Sequence, residues 1–430
     1  MGTIDPLPPA ATAAKSRADT GAAAADRVSA GFIAALTGGY FSTWLALLPL
    51  TQVTLALRVQ QIAPDDKATT LSLVLTVGAA VAVVAQNVFG VLSDRTTSRF
   101  GMRRPWIVSG ALLGVASLGF LSTADSVGML VAAWALTQLT FNILLAGLNP
   151  VVPDQVPPAQ LGKVSALTGL TTQLGVVGGV FLAQFFLPNL ALAILVPGLF
   201  CLVGTGILAV VLRDRRLAAA DRRPLRPSTW LQAYWVSPRR HPDFAWAWLS
   251  RFLVQCGNVT LVSYQTFFLM SRFGYTEETV GPVVLKALLV NIVGIVLAAL
   301  VFGTLSDRVH RRKPFVLVSA VVLALAHVLA AYAPTLGFYL LATAVTGIAA
   351  GCFLAVDLAL VAEVLPSRAD VGKDMGVFHL ANALPQVLMP AVAPLFLSLG
   401  DGDNYPAYFL AGGLIGLAGA FCNQRIRGVR

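Results

Sequence analysis

The chain has 430 residues, of which 57% are hydrophobic and 12% charged, with a formal net charge of +10. Its mean hydropathy is +0.76. A soluble domain carries about 25% charged residues, so the composition excludes an ordinary water-soluble protein, and apolar stretches of roughly 20 residues, the length that crosses the hydrocarbon core as a helix, recur along the chain.

Residues 1–28 are rich in Ala, Pro, Thr and Asp and lack an apolar core segment. They read as a disordered cytoplasmic tail rather than a signal peptide. Six apolar spans follow, at about 29–57, 69–92, 105–124, 127–152, 163–187 and 189–212. Pro150, Pro153, Pro157 and Pro158 blur the end of the fourth. A linker over 213–243 opens on Arg213-Asp214-Arg215-Arg216 and contains Pro224, Pro227, Pro238 and Pro242. Within it Trp230, Ala233, Tyr234 and Val236 give an apolar face suited to an interfacial helix, or an ordinary loop with scattered aromatics. Six more spans lie at about 244–271, 279–303, 315–334, 336–361, 374–399 and 404–423, before a basic tail over 424–430. The runs are twice the length of a barrel strand and do not alternate. The expected fold is therefore an all-α membrane protein of twelve transmembrane helices in two six-helix bundles, 29–212 and 244–423.

The positive charge is a topology signal before it is anything else. With the N-terminus placed in the cytoplasm, 25 of the 30 Lys and Arg residues fall on that side. Arg58, Lys67 and Arg272 fall opposite, and Arg251 and Lys286 lie inside spans. Both termini are thus expected to be cytoplasmic, in a plasma (inner) membrane. Anionic lipid is a plausible partner for the linker; nucleic acid is not expected. Cys201, Cys256, Cys352 and Cys422 lie far apart in apolar runs and read as small buried hydrophobes rather than metal ligands.

The two halves share a motif. Gly90-Val91-Leu92-Ser93-Asp94-Arg95 returns 213 residues later as Gly303-Thr304-Leu305-Ser306-Asp307-Arg308. Each copy leads through basic residues to Arg104-Pro105-Trp106 or Lys313-Pro314-Phe315. A second pair matches too: Asp154-Gln155-Val156-Pro157 with Gly162-Lys163, and Glu363-Val364-Leu365-Pro366 with Gly372-Lys373. Two related bundles are the usual build of a secondary transporter. Gly90 and Gly303 are expected to permit close backbone approach, and Asp94 and Asp307 to accept hydrogen bonds from a neighbouring helix N-terminus. Arg95, Arg104 and Arg308 are expected to pair with Asp154 or Glu363. Proline suits the first turn of the following helix. Together these residues would latch the cytoplasmic side.

These hairpins resemble the signature loop of the major facilitator superfamily. The first copy, Ser93-Asp94-Arg95-Thr96-Thr97-Ser98-Arg99-Phe100-Gly101-Met102-Arg103-Arg104-Pro105-Trp106, is similar to the loop of the sucrose–proton symporters and the glycoside–pentoside–hexuronide cation symporters. That resemblance implies a sugar carrier. Members of the melibiose-permease type carry carboxylates in the second helix, where this chain has Ala82 and Gln86, so no sodium site of that type is carried over. Asn149 stands where the plant sucrose carriers have an arginine.

Polar groups at membrane depth are costly and mark function. Arg251 and Asp357 sit at similar depth in the seventh and tenth spans, so an ion pair that serves proton coupling is expected. His327 and His379 are weaker proton candidates. Uncharged polar groups concentrate in the first span (Tyr40, Thr43, Trp44, Gln52), the fourth (Gln138, Asn142, Asn149), the fifth (Thr168, Thr171, Thr172, Gln173), the seventh (Gln255, Asn258, Tyr264, Gln265) and the eleventh (Asn382, Gln386). The third, sixth and ninth are nearly free of amides, as lipid-facing helices should be. Tyr40, Trp44, Gln138, Asn142, Asn149, Gln255, Asn258, Lys286 and Asn382 are the candidate substrate contacts, suited to a neutral polyhydroxylated ligand. No metal, cofactor or enzymatic motif is expected. The resulting expectation is a monomeric, proton-coupled secondary transporter of a sugar or glycoside; the alternative is an efflux carrier for a drug-like compound or secondary metabolite.

Overall fold

The structure is a computed structural model that describes residues 27–187, 189–217, 237–309, 313–364, 371–400 and 403–426; of Asp307, residues 358–364 and 371–376, and His379, the backbone alone is described. The suggested linker helix around Trp230 and Val236 lies outside these residues, as do Arg311, Arg312 and Arg368. The side chains of Asp307, Glu363, Lys373 and His379 lie outside the described atoms.

Among the described residues twelve long helices follow one another: α1 (Ala30–Ile62), α2 (Lys67–Ser93), α3 (Arg104–Ser122), α4 (Val127–Gln155), α5 (Pro158–Gln184) and α6 (Leu190–Val211), then α7 (Pro242–Phe273), α8 (Val280–Val309), α9 (Lys313–Ala331), α10 (Leu336–Val364), α11 (Val371–Leu397) and α12 (Tyr405–Gln424). Among the described residues eleven are long and apolar enough to cross a membrane. The remaining one, α7, is long enough at 32 residues, but it carries Arg251 and a series of amides. Helix ends follow local chemistry. Ser29 Oγ accepts from the Phe32 N–H, Asn189 Oδ1 from Leu192 and Asn404 Oδ1 from Ala407. Gly274 closes α7 in the left-handed conformation at φ 71°, which glycine adopts without steric cost. Proline starts α3, α5 and α7 in the first turn, where its missing N–H costs nothing; α5 therefore begins at Pro158, earlier than its apolar run.

Helix neighbours repeat with a shift of six. α1 packs on α5 and α6, α2 on α4, and α3 on α4 and α6; correspondingly α7 packs on α11 and α12, α8 on α10, and α9 on α10 and α12. The chain is thus two six-helix bundles of one design. They meet through α2 against α11 and α5 against α8, pairs that the same shift exchanges. Apolar side chains face outward on α3, α6 and α9, with Leu112, Val203, Val210 and Leu325 all exposed; this is the surface that lipid covers.

The inter-half contacts gather at one end. Lys67 Nζ lies 3.1 Å from Asp403 Oδ2, and Gln61 Nε2 donates to Glu277 Oε2 at 2.9 Å. Tyr264 Oη donates to the Ala68 carbonyl at 2.9 Å. Ser72 Oγ donates to the Pro390 carbonyl at 2.6 Å. That carbonyl is free because Pro394, four residues on, has no N–H to offer it. This far end is closed. The opposite end carries Val28, the hairpin over residues 94–103, the linker roots at Arg213 and His241, and Ile426, and is called the linker end below.

Candidate functional site

A cavity of about 300 Å³ lies between the halves, on the linker side of the closed contacts. α1 supplies Thr51 and Gln52, α2 Gln86, α4 Trp134 and Gln138, α7 Ser263, and α11 Gln386. Apolar residues fill the gaps, among them Leu47, Leu75, Val83, Val262 and Pro390. No described residue of the lining carries a charge. Gln86 and Gln386 are exposed, so the cavity opens towards the linker end. Trp134 is 1% exposed, and its indole lies so close to α2 that a Cβ at Gly78 would sit 2.0 Å from Nε1; only glycine allows this approach.

Of the expected substrate contacts, Gln138 lines this cavity. Tyr40 is buried between α1 and α4, donating to the Leu148 carbonyl at 3.3 Å, and Trp44 packs against Gly175 of α5. Asn142 is buried and donates to the Gln138 carbonyl. Asn149 is exposed at the break in α4. Lys286 is exposed on the α8 face that also carries Leu289 and Val293, outside the cavity lining. A lysine there lies along lipid and reaches for the interface.

Gln255, Asn258 and Asn382 belong to a second cluster, within the second half. Arg251 and Asp357 form the expected ion pair, both buried. Arg251 Nε also donates to Asn382 Oδ1 at 2.8 Å, and its guanidinium lies 4.6 Å from the centre of the Phe378 ring. Gln255 Nε2 donates to the same Asn382 oxygen at 3.1 Å, and Asn258 Nδ2 to Gln255 Oε1 at 2.8 Å. Asn382 precedes Ala383, which lines the cavity, so this cluster lies next to the cavity-lining stretch of α11. A buried pair needs such satisfied donors to offset its desolvation.

The linker-end hairpin of the first half is organised differently from the expectation. Its centre is Arg103, 4% exposed. Arg103 pairs with Asp94 Oδ1 at 2.8 Å and Asp154 Oδ2 at 2.8 Å, and donates to Ser93 Oγ at 2.9 Å. Arg104 instead donates its side chain to the Leu212 carbonyl, and Asp154 pairs with Arg103 rather than with Arg95 or Arg104. Asp94 therefore serves a guanidinium and not a helix N-terminus. That role falls to Asp214 of the linker, whose Oδ2 accepts the N–H of Arg103 at 2.7 Å and of Arg104 at 2.6 Å. The extended turn is explained by this docking: Gly101 has φ 107°, and a Cβ there would lie 2.2 Å from Asp214 Oδ2. By contrast nothing lies within 4 Å of a Cβ at Gly90, and at Gly303 only Ala355 does, at 3.8 Å. Neither glycine is needed for a close approach in this conformation. Arg308 lies in the last turn of α8.

His327 is wholly buried, with its ring nitrogens 2.8 Å and 3.0 Å from the Leu323 and Gly257 carbonyls, away from the cavity. All four cysteines are free, and no cluster of His, Cys, Asp and Glu suited to a metal ion occurs among the described residues.

The family model of the Major Facilitator Superfamily matches residues 27–298 and 287–428. The chain belongs to that superfamily. No sequence among curated proteins matches it. Several solved structures share its fold. The nucleoside transporter NupG superposes with a TM-score of 0.68 at 13% identity, covering 92% of this chain and 98% of its own. A peptide transporter, POT, in complex with sulfate gives 0.71 at 14% identity over 92% and 94%. A bacterial homologue of the human lysosomal transporter Spinster, inward-facing and unoccupied, gives 0.64 at 16% identity over 91% and 94%. This superfamily chain is accordingly a multi-pass membrane transporter of a small molecule, and not an enzyme.

Proposed function

We propose that the chain carries a neutral, polyhydroxylated solute, a sugar or glycoside, by proton-coupled alternating access. The observation that supports the substrate class is the uncharged lining of the cavity. Gln52, Gln86, Gln138 and Gln386 each offer an acceptor and two donors, Thr51 and Ser263 offer hydroxyls, and Trp134 offers an aromatic flank. An ionic substrate would lie there without a counter-charge, at high cost. The extended Thr97–Gly101 turn supports the sucrose–proton and glycoside–pentoside–hexuronide branch in particular. The side that holds most Lys and Arg is taken as cytoplasmic, with both termini there, in the plasma membrane. On that orientation the structure is inward-open.

Asp357, held by Arg251, is the proposed coupling acid. The contact of Arg251 with Asn382, beside the cavity-lining Ala383 on α11, supports a link between this pair and the cavity. The hairpin around Arg103, with Asp94 and Asp154, is the proposed latch of the cytoplasmic side, and Asp307, Arg308 and Glu363 its counterpart. A monomer suffices for this mechanism, and no cofactor enters it.

Uptake of labelled sugars into proteoliposomes, with and without a pH gradient, tests the reading. Accumulation of at least one neutral sugar that depends on the gradient is expected; accumulation only of lipophilic compounds, driven outward, would favour the efflux alternative, to which Leu47, Leu75, Val83 and Val262 of the lining lend support. Asp357→Asn should abolish gradient-driven accumulation and spare exchange. Intact accumulation in that variant would remove Asp357 as the coupling acid.

A further inference from the structure

α1 is not a continuous α-helix. Residues Leu50–Thr54 form a π-helical turn directly after Pro49. Such turns are rare, shift the register of backbone carbonyls, and concentrate at functional positions. Here the turn turns one residue to both the cavity and the opposite half. Gln52 lines the cavity. Its backbone carbonyl accepts Thr266 Oγ1 at 2.6 Å, and its side-chain Oε1 accepts Gln265 Nε2 at 3.3 Å. Thr266 and Gln265 lie on α7 of the second half and are 2% and 5% exposed. Gln265 Oε1 in turn accepts Tyr339 Oη at 3.4 Å, which extends the link to α10.

We propose that Gln52, presented by the π turn, couples occupancy of the cavity to closure of the far end. The proposal rests on the cavity being the substrate site. A polar group of the substrate that engages the Gln52 amide displaces Gln265. Reversion of the π turn to α register then withdraws the Gln52 carbonyl from Thr266, and α1 and α7 separate at the far end. The exchange is nearly balanced in energy, because hydrogen bonds between neutral groups at membrane depth are individually weak and the substrate replaces them with bonds of the same kind. A gate must have this property, since bonds much stronger than the substrate's own would never open. Lys67 with Asp403, and Gln61 with Glu277, add small contacts between the halves at the same end.

The test uses a thiol placed in the cavity wall by Ala79→Cys, labelled in intact cells by a membrane-impermeant reagent from the far side, with labelling of the chain that lacks this thiol subtracted. Thr266→Val keeps the side-chain shape and removes the donor; it is expected to raise far-side labelling roughly three- to five-fold, the effect of one such bond. Thr266→Ser, which keeps the hydroxyl, should label like the parent. Equal labelling of the valine and serine variants would overturn the proposal. If the valine variant does not reach the membrane, Gln265→Met carries the same expectation and the same refutation. With sucrose as the probe, labelling of the parent should rise and that of Gln52→Leu should not; an equal rise in both also overturns it. No response to sucrose in the parent, with Thr266→Val still raising labelling, would count against the sugar reading and support the Gln52–Thr266 contact as part of far-end closure.

Discussion

The two ends of the molecule are bonded on opposite principles. At the linker end the network described around Arg103 lies within the first half: a buried arginine holds two carboxylates and a hydroxyl, and Asp214 ties the linker onto the same hairpin. At the far end the contacts cross between halves, and most are single hydrogen bonds between neutral groups. The exposed ion pair Lys67–Asp403 adds little, since such pairs contribute under about 1 kcal/mol. The ionic network shapes one rigid half, while the neutral contacts hold two halves together reversibly. Closure made of small, replaceable terms is what alternation between two states of similar free energy demands.

The sharpest way to break this comparison is at the charges that do not cross. Arg251→Ala should destabilise the second half by about 3–5 kcal/mol, because it strands a buried carboxylate; thermal unfolding of the purified protein in detergent reads this, and an unchanged midpoint would mean that Asp357 is not buried as described. Arg103→Ala comes next, at about 1.5–3 kcal/mol for the loss of its charged hydrogen bonds, while Arg95→Ala should fall well below it. Comparable losses at both would remove Arg103 as the centre of the hairpin. Asp214→Ala should cost about 0.5–2 kcal/mol, as the loss of a helix cap does, and limited proteolysis should then cut the linker root faster. The smallest effect on stability is expected from Lys67→Ala, within about 1 kcal/mol. Its effect on far-side labelling should fade at high salt, whereas that of Thr266→Val should persist. A salt-sensitive Thr266→Val effect would erase the distinction between the two kinds of contact.

Much of this design is legible without coordinates. The twelve helices follow from apolar run length, and the Arg251–Asp357 pair follows from the cost of leaving either charge alone in a span. The repeat foreshadows the six-helix shift in helix neighbours. The hairpin is less transparent. Arg95, Arg99, Arg103 and Arg104 are equal as sequence, and only the turn at Gly101 decides that Arg103 faces inward between Asp94 and Asp154. Asp214 lies 110 residues from the N–H it caps at Arg104, and no local pattern announces it. In the cavity, Gln386 is visible as an amide in an apolar run and Gln86 as a departure from the melibiose-type carboxylates, whereas Trp134 reads as one more core aromatic until Gly78 is seen beneath its ring. The π turn has no pattern of its own beyond Pro49. Lys286 misleads for the opposite reason: a charge inside a span suggests a site, yet a long side chain near a helix end can reach the interface from a lipid-facing position.

The low apolarity of α7 bears on how the protein is made. An arginine costs at most about 2.5–3.5 kcal/mol on insertion, the value at a helix centre, and α7 adds Gln255, Asn258 and Gln265 to the burden of Arg251. Its counter-charge, Asp357, lies 106 residues further along the chain. During synthesis α7 therefore emerges well before the partner that neutralises it. It has to wait beside the already inserted first half, or in the protein-lined channel of the insertion machinery, until α10 arrives. The helix that is costliest to insert is also the one that touches α1 and α2 at the far end and Asn382 near the cavity, so the features that make it useful in transport are those that make its assembly depend on the rest of the chain.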